Sequence, residues 1–172
     1  MRLILIQHGA VESPGQPGSQ LTEHGRLHAR ALAGEIAKLS GRTTAVEAIY
    51  TSPLSAARET AGVIASMLTS GSYLTHDAFT DALHEAELGT LQERAWAATE
   101  ALREEHSDSA LLVIVTHELP IRTLVCSALS IPLADMRRFQ IDPGSMTTLE
   151  FRSQPQRRTI LAGLNETCHL TE

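Results

Sequence analysis

The chain of 172 residues has few aromatic residues, few cysteines, no run of basic residues and no long hydrophobic stretch. Aromatic residues make up 3% of the sequence and the net charge is -6, so it lacks the concentrated positive patch that nucleic-acid binding requires. The same charge balance argues against binding to an anionic membrane surface. The N-terminal apolar run is too short for a signal peptide or a membrane span. We therefore expect a cytoplasmic protein that acts on a small molecule, and we leave a homodimer open.

The two cysteines, Cys126 and Cys168, belong to no CxxC pair and to no cysteine–histidine cluster with zinc spacing. A reduced, intracellular protein is the default for such a pattern. His24 and His28 have the helical spacing that can bind zinc, but no third ligand accompanies them. The sequence therefore predicts neither a metal site nor a cofactor.

What is present is the pattern of a globular α/β protein. Hydrophobic residues make up 42% of the chain and charged residues 20%, and the length suits a single domain over residues 1–172. Aliphatic runs at 3–6 and 111–115 predict strands buried on both faces, as in a parallel sheet. The other predicted elements are strands at 46–50, 73–76, 146–151 and 159–161, helices at 21–40, 54–71, 96–105 and 118–129, and loops at 10–20, 81–93 and 164–170. Thr22 and Ser52 are predicted to cap the helices that follow them.

Both buried runs lead into a histidine, His8 after the first and His117 after the second. If the two strands are neighbours in a parallel sheet, the imidazoles face each other over its carboxyl edge, where ligands bind in open α/β sheets. One could then act as nucleophile or base and the other as hydrogen-bond donor to developing negative charge. Gly9 would let the backbone turn and approach a ligand closely, and Glu85, on a polar loop, could exchange a proton with a leaving group.

Six segments match, in order and across essentially the whole chain, the motifs of a known family: IQHG at 6–9, LTEHG at 21–25, YTSPL at 50–54 with Thr60-Ala61, LHE at 83–85 with Leu88-Gly89, VTH at 115–117 and LNETCHL at 164–170. This order resembles the histidine phosphatase superfamily, which includes the cofactor-dependent phosphoglycerate mutases. The resemblance implies a three-layer α/β sandwich with a mostly parallel sheet. It also implies that His8 attacks phosphorus to form phosphohistidine, that Glu85 protonates the leaving oxygen, and that His117 hydrogen-bonds the transferring phosphoryl group.

The chain departs from the family pattern at its phosphate ligands. Gln7 replaces the arginine before the nucleophilic histidine, Ala56 replaces the arginine after the Ser-Pro-Leu motif, and Pro14 replaces a loop asparagine. Each arginine clamp on a dianion contributes about 1.5–3 kcal/mol, so efficient phosphatase activity is not expected. Arg58, two positions further on, is a candidate substitute ligand, although it points to a different helix face.

Without the arginines, a neighbouring Glu85 would make protonation of His8 or His117 easier. Gln7 would offer a neutral amide suited to a carbonyl, hydroxyl or carboxylate, and Glu118 could orient an imidazole or line the pocket.

The leading hypothesis is therefore an enzyme of this fold repurposed for acid–base chemistry, such as dehydration or isomerisation, on a small carbonyl- or carboxylate-bearing substrate. The alternatives are a weak or selective phosphatase acting through His8 and a non-catalytic binding module.

Overall fold

The computed structural model describes residues 1–16, 18–43, 45–69, 71–82, 84–153 and 158–170. Pro17 and Leu83, which lie in predicted loops, and the last two residues of the predicted domain fall outside these ranges. The strands are β1 (Arg2–Gln7), β2 (Val46–Thr51), β3 (Leu74–Thr75), β4 (Leu111–Thr116), β5 (Met146–Arg152) and β6 (Arg158–Glu166). The helices are α1 (Glu23–Thr43), α2 (Ser55–Leu68), α3 (Leu88–Glu105) and α4 (Glu118–Leu129), with short 3-10 helices at Asp77–Phe79, Glu85–Glu87 and Leu133–Arg138.

The strands form one mostly parallel sheet in the order β3-β2-β4-β1-β5-β6. β1, β2, β3 and β4 are mutually parallel, whereas β5 and β6 are antiparallel additions beside β1. The predicted α/β fold with a mostly parallel sheet is confirmed, and β1 and β4 lie side by side as the histidine pattern required.

The aliphatic runs are continuous because both faces of the central strands are covered by helices. On β1, Ile4 and Ile6 pack into the core formed with α1 and α2, whereas Leu3 and Leu5 pack into the core formed with α3 and α4. β4 alternates in the same way between the two cores. The three layers thus hold the carboxyl ends of β1 and β4 rigidly against each other. None of the helices within the described ranges is long and apolar enough to cross a membrane.

Several predicted boundaries are wrong. α1 continues past Gly41 to Thr43, and α3 begins at Leu88 within the stretch predicted as a loop. The first turns of α3 are mostly polar, and its apolar stripe begins only at the buried residue Leu91. The sequence pattern therefore did not predict a helix at this point. β6 extends to Glu166, into the predicted terminal loop, because it pairs along its length with β5.

The caps of the first two helices differ. Thr22 caps α1 as predicted, since its Oγ1 accepts a hydrogen bond of 2.9 Å from the Gly25 amide. Ser52 does not cap α2, which begins at Ser55 after Leu54 and has no side-chain cap. Ser52 is instead a partner of His117.

Candidate active site

Three neighbouring parallel strands end at the same edge of the sheet and bring His8, Ser52 and His117 together. The His8 amide donates to the Thr116 carbonyl at 3.1 Å, and the Ser52 amide donates to the Val115 carbonyl at 3.0 Å, so the ladder continues past the strand ends. The two imidazole centroids are 5.0 Å apart and the rings meet edge-on at 70°. The predicted pair of facing histidines is therefore present in the structure.

The hydrogen bond of His8 defines which ring nitrogen is free to react. Nδ1 is 2.8 Å from the Gly9 carbonyl oxygen. A carbonyl can only accept, so Nδ1 carries the proton, and in the neutral ring Nε2 keeps its lone pair. Burial lowers the pKa of His8 by more than the bond to Gly9 raises it. No described residue bonds Nε2, which leaves a neutral imidazole with one nucleophilic nitrogen.

His117 is 6% exposed, and its Nε2 shares a hydrogen bond of 2.8 Å with Ser52 Oγ. Burial, with a smaller contribution from the neighbouring His8, lowers the pKa of His117 to about 3. The expectation that these histidines protonate easily is therefore wrong, because burial lowers both pKa values. The prediction relied on a nearby carboxylate at Glu85 and neglected the cost of burying two imidazolium ions.

A cavity of about 280 Å³ opens in front of the two imidazoles. The described residues that line it are His8, Val11, Gly15, Gln16, Ser19, Leu54, Ala56, Asp81, Ala82 and His117. They include no lysine or arginine. They do include one carboxyl group, Asp81.

Asp81 is the candidate site residue that sequence reasoning missed. Burial and, less strongly, the negative charge of Glu118 raise the pKa of Asp81 to about 6, against the opposing effects of the Ala82 amide and Arg94. The available signal was its position two residues after Phe79, a buried side chain that fixes the loop to the core.

Glu85 does not line this cavity in the described structure. Its side chain is 76% exposed and forms an ion pair with Arg137, in a separate surface hollow that also contains Leu88, Leu133 and Met136. A proton-transfer role for Glu85 stays a prediction.

Gln7 and Gly9 are close to the site, but their contacts are with the surrounding backbone. Gln7 is 7% exposed, and in the amide orientation that satisfies its neighbours its nitrogen donates to the carbonyls of Ile141 at 3.0 Å and Asp142 at 3.3 Å. Gly9 packs against the backbone of Gly25, where a Cβ would clash. Neither residue is among the described lining of the cavity, so substrate binding by them stays a prediction.

Arg58 and Glu118 also lie beside the cavity. Arg58 is exposed and lines a neighbouring hollow that shares Leu54 with the cavity. Glu118 pairs with Arg122 at 2.5 Å and acts on the site through its effect on the pKa of Asp81. Direct substrate contacts by either residue remain predictions.

His24 and His28 contact each other edge-on with centroids 4.1 Å apart. Within the ranges that the structure describes, no group of three or more histidine, cysteine, aspartate or glutamate side chains is arranged to hold a metal ion.

Comparison with known proteins agrees with the geometry. The model of the histidine phosphatase superfamily (branch 1) matches residues 3–91 and 76–162. Phosphoserine phosphatase from Entamoeba histolytica, solved with 3-phosphoglyceric acid, superposes with a TM-score of 0.81 at 20% identity over 99% of both chains. A mycobacterial glucosyl-3-phosphoglycerate phosphatase, solved with inorganic phosphate, superposes with a TM-score of 0.78 at 19% identity over 99% of both chains. At these identities the two structures establish the fold.

Among curated proteins, phosphoserine phosphatase 1 from Hydrogenobacter thermophilus is 29% identical over 85 residues. The match covers 49% of this chain and 38% of the relative.

These relatives correct the leading functional hypothesis. They are named as phosphatases, not as dehydratases or isomerases, so the expectation of a site repurposed for dehydration or isomerisation is wrong. That expectation weighed the missing arginines above the retained histidines, whereas the free Nε2 of His8 is the group that a phosphoryl transfer needs. With its family model matched along most of its length, the chain belongs to the histidine phosphatase superfamily, branch 1.

Proposed function

We propose that the protein hydrolyses phosphomonoesters through a phosphohistidine at His8. The observation that carries this proposal is the bond from His8 Nδ1 to the Gly9 carbonyl, which leaves Nε2 unprotonated in a cavity shared with His117. A neutral imidazole held in this way is prepared to attack without first losing a proton.

In the first step, the Nε2 lone pair attacks phosphorus while the ester P–O bond breaks. The leaving oxygen keeps the bonding electrons and takes a proton, which gives an alcohol and N-phosphohistidine. Water then attacks the phosphohistidine, gives up a proton, and releases phosphate while the electrons of the P–N bond return to Nε2. His117 donates a hydrogen bond to the phosphoryl oxygens, and a bound dianion favours its protonated form.

The substrates we propose are small phosphorylated organic acids. The names of the relatives mention phosphoserine, 3-phosphoglyceric acid and glucosyl-3-phosphoglycerate, and a cavity of about 280 Å³ suits the smaller of these. Because no lysine or arginine stands among its described lining residues, we expect a rate on the order of a hundred- to a thousandfold below that of a site with an added cationic clamp.

The same lack of a cation favours a second candidate, a module that binds a ligand without turning it over. It shares the fold and the cavity with the first candidate. The two differ in whether His8 ever carries a phosphoryl group.

We also propose that the protein acts in the cytoplasm. Cys126 is buried and Cys168 is exposed, and both are free thiols. Free thiols are usual in a reducing compartment.

The deciding experiment combines turnover with trapping. The wild-type protein is incubated with phosphoserine, 3-phosphoglyceric acid and p-nitrophenyl phosphate, quenched in alkali because phosphohistidine is acid-labile, and analysed by peptide mass spectrometry. We expect phosphate release and a phosphorylated peptide that contains His8. We expect the His8→Ala variant to lose both signals, and His117→Ala to lower kcat/KM by about a hundredfold or more.

His24→Ala is the matched control, because it removes an exposed histidine that does not line the cavity. It should retain wild-type turnover. Binding of phosphate esters with neither release nor phosphohistidine would support the binding module and contradict the phosphatase.

A further inference from the structure

The cavity contains a carboxyl group that lies outside the segments matching the family motifs. Asp81 lines the same space as His8 and His117, whereas Glu85 lies in another hollow and pairs with Arg137. A proton donor must be within hydrogen-bond reach of the leaving oxygen. Of the two carboxyl groups, Asp81 is the one that lines the same cavity as His8.

The loop that carries Asp81 is held at both sides. Arg94, on α3, donates to the carbonyls of Asp77 at 2.7 Å and Thr80 at 2.5 Å. Thr116, the residue before His117, donates through Oγ1 to the Phe79 carbonyl at 2.6 Å. The backbone just before Asp81 is thus fixed to the strand end that presents His117, which is how a preorganised catalytic group is supported.

Within the carboxyl group, the two oxygens have different environments. Oδ1 accepts a hydrogen bond of 3.1 Å from the Ala82 amide. Oδ2 has no hydrogen-bond partner among the described residues, so it is the oxygen that can carry and release a proton.

We propose that Asp81 is the catalytic acid that protonates the leaving oxygen, in place of Glu85. This inference rests on the proposed phosphatase function. As the ester P–O bond breaks, the proton on Oδ2 moves to the leaving oxygen and Asp81 becomes a carboxylate. In the second step the carboxylate takes a proton from the attacking water and returns to its starting form.

The protonation of Asp81 is suited to this cycle. Burial raises the pKa of Asp81 to about 6, and the general acid or base of an enzyme works best with a pKa near the working pH. A phosphoryl dianion bound next to the carboxyl group would favour its protonated form further.

The test uses the dependence on the leaving group. An alkyl phosphate such as glycerol phosphate needs its leaving oxygen protonated, whereas p-nitrophenyl phosphate releases a stable phenolate without a proton. For Asp81→Asn we expect kcat/KM to fall by about a hundredfold or more with glycerol phosphate but by less than about tenfold with p-nitrophenyl phosphate. A general loss of structure would affect both substrates alike, and Asp81→Glu should restore part of the lost activity.

The pH profile provides a second readout. With glycerol phosphate, kcat/KM of the wild type should decline above about pH 6, where Asp81 loses its proton. Asp81→Asn should lack this decline relative to the wild type. The ionisation of the substrate is common to both proteins and cancels in their ratio.

Glu85→Gln is the comparison variant. Any loss that it causes should be the same for both leaving groups. A leaving-group-dependent loss in Glu85→Gln but not in Asp81→Asn would overturn the proposal while leaving the phosphatase function intact.

If Asp81 bound the ammonium group of the substrate instead of donating a proton, its replacement would have a different effect. A rise in KM for phosphoserine alone in Asp81→Asn, with kcat unchanged, would show that Asp81 binds the substrate amine and would also overturn the proposal. A wild-type protein inactive on all three esters would overturn the acid role together with the proposed function.

Discussion

At the scale of single residues, the three titratable groups of the site have pKa values that are each shifted toward the neutral form. Burial lowers the pKa values of His8 and His117 and raises the pKa of Asp81. Removing ions from water is costly, and no cationic side chain is present among the described lining residues to offset that cost for an anion. Below about pH 6 the three groups are therefore mostly neutral, and a bound phosphate ester supplies most of the charge in the cavity.

His117 and Asp81 should have opposite effects on how the free energy of unfolding depends on pH. The pKa of His117 falls from 6.5 in the unfolded chain to about 3 on folding, so the unfolded state binds more protons in that range and the free energy of unfolding decreases as pH falls below about 6.5. The pKa of Asp81 rises from 3.8 to about 6 on folding, so its contribution to the free energy of unfolding decreases as pH rises through that range.

Asp81→Asn should consequently make the free energy of unfolding increase more steeply between about pH 4 and 6, by up to about 1.4 kcal/mol per pH unit. His117→Gln should flatten the same curve. Urea denaturation across this range measures both slopes. Parallel curves for the wild type and Asp81→Asn would contradict the buried, neutral carboxyl group.

Ala56 is the position where the family resemblance implies a phosphate-binding arginine. It is 5% exposed and lines the cavity, so a longer side chain there would enter the cavity. Ala56→Arg should raise kcat/KM for phosphate esters by about tenfold or more, because a guanidinium group would stabilise the charge on the transferring phosphoryl group. Steady-state kinetics test this gain, with Ala56→Met as the control for added volume without charge. An equal change in both variants would show that charge is not what the site lacks.

At the scale of elements, the segment after β1 is fastened between two helices, and this fixes His8. The Gly9 amide donates to Thr60 Oγ1 on α2 at 3.2 Å, and Thr22, the cap of α1, donates from its amide to the Ala10 carbonyl at 3.0 Å. Gly9 and Gly25 let the two backbones approach more closely than any Cβ would permit. His8, the proposed nucleophile, is therefore positioned by contacts of its neighbouring residues with both helices as well as by its own strand.

Gly9→Ala should lower the free energy of unfolding by about 1–3 kcal/mol, since its Cβ would meet the Gly25 backbone, which cannot rotate away. It should also reduce turnover by displacing His8. Gly34→Ala on α1 is the matched control. No atom lies within 4 Å of the Cβ that it adds, and alanine favours helix over glycine by roughly 1 kcal/mol.

Chemical denaturation and kinetics of the two variants distinguish these effects. A Gly9→Ala protein as stable and as active as the wild type would show that the close approach of the two backbones is dispensable.

At the scale of the whole molecule, the site lies at the junction of the two cores. The sheet separates a core packed with α1 and α2 from one packed with α3 and α4, and the cavity receives Ala56 from α2 and Asp81 from the loop that α3 holds. A ligand bound there contacts groups from both sides of the sheet. Its binding energy should therefore add to the stability of the complete fold.

Inorganic phosphate should raise the melting temperature in a concentration-dependent manner. At a hundred times the dissociation constant the expected gain is about 2.7 kcal/mol in the free energy of unfolding. Phosphate also stabilises proteins without a site by exclusion from their surface, so the control is the His8→Ala/His117→Ala double variant. Calorimetry should show a larger shift for the wild type, and equal shifts would contradict phosphate binding in this cavity.

Sequence patterns were sufficient to predict those structural features whose physical cause is local or periodic in the chain. The aliphatic runs of β1 and β4 predicted two buried parallel neighbours. The second residue after each run had to reach the carboxyl edge of the sheet, which placed His8 and His117. The cap at Thr22 could be predicted because its hydrogen bond joins residues only three positions apart, Thr22 and Gly25. Patterns failed to predict where α3 begins, because burial of one side of the helix overrode its polar sequence. They also failed to predict the length of β6, which pairing with β5 determines.

The sequence by itself determined the family, the mostly parallel sheet and the two facing imidazoles of this protein. Only the tertiary structure decided which carboxyl group shares their cavity, which nitrogen of His8 stays free, and that burial lowers the pKa of both rings. The reason is that these properties depend on contacts between residues far apart in the chain, such as Thr116 with Phe79. Loop direction and desolvation arise from such contacts, and no spacing of residue types along the sequence encodes them.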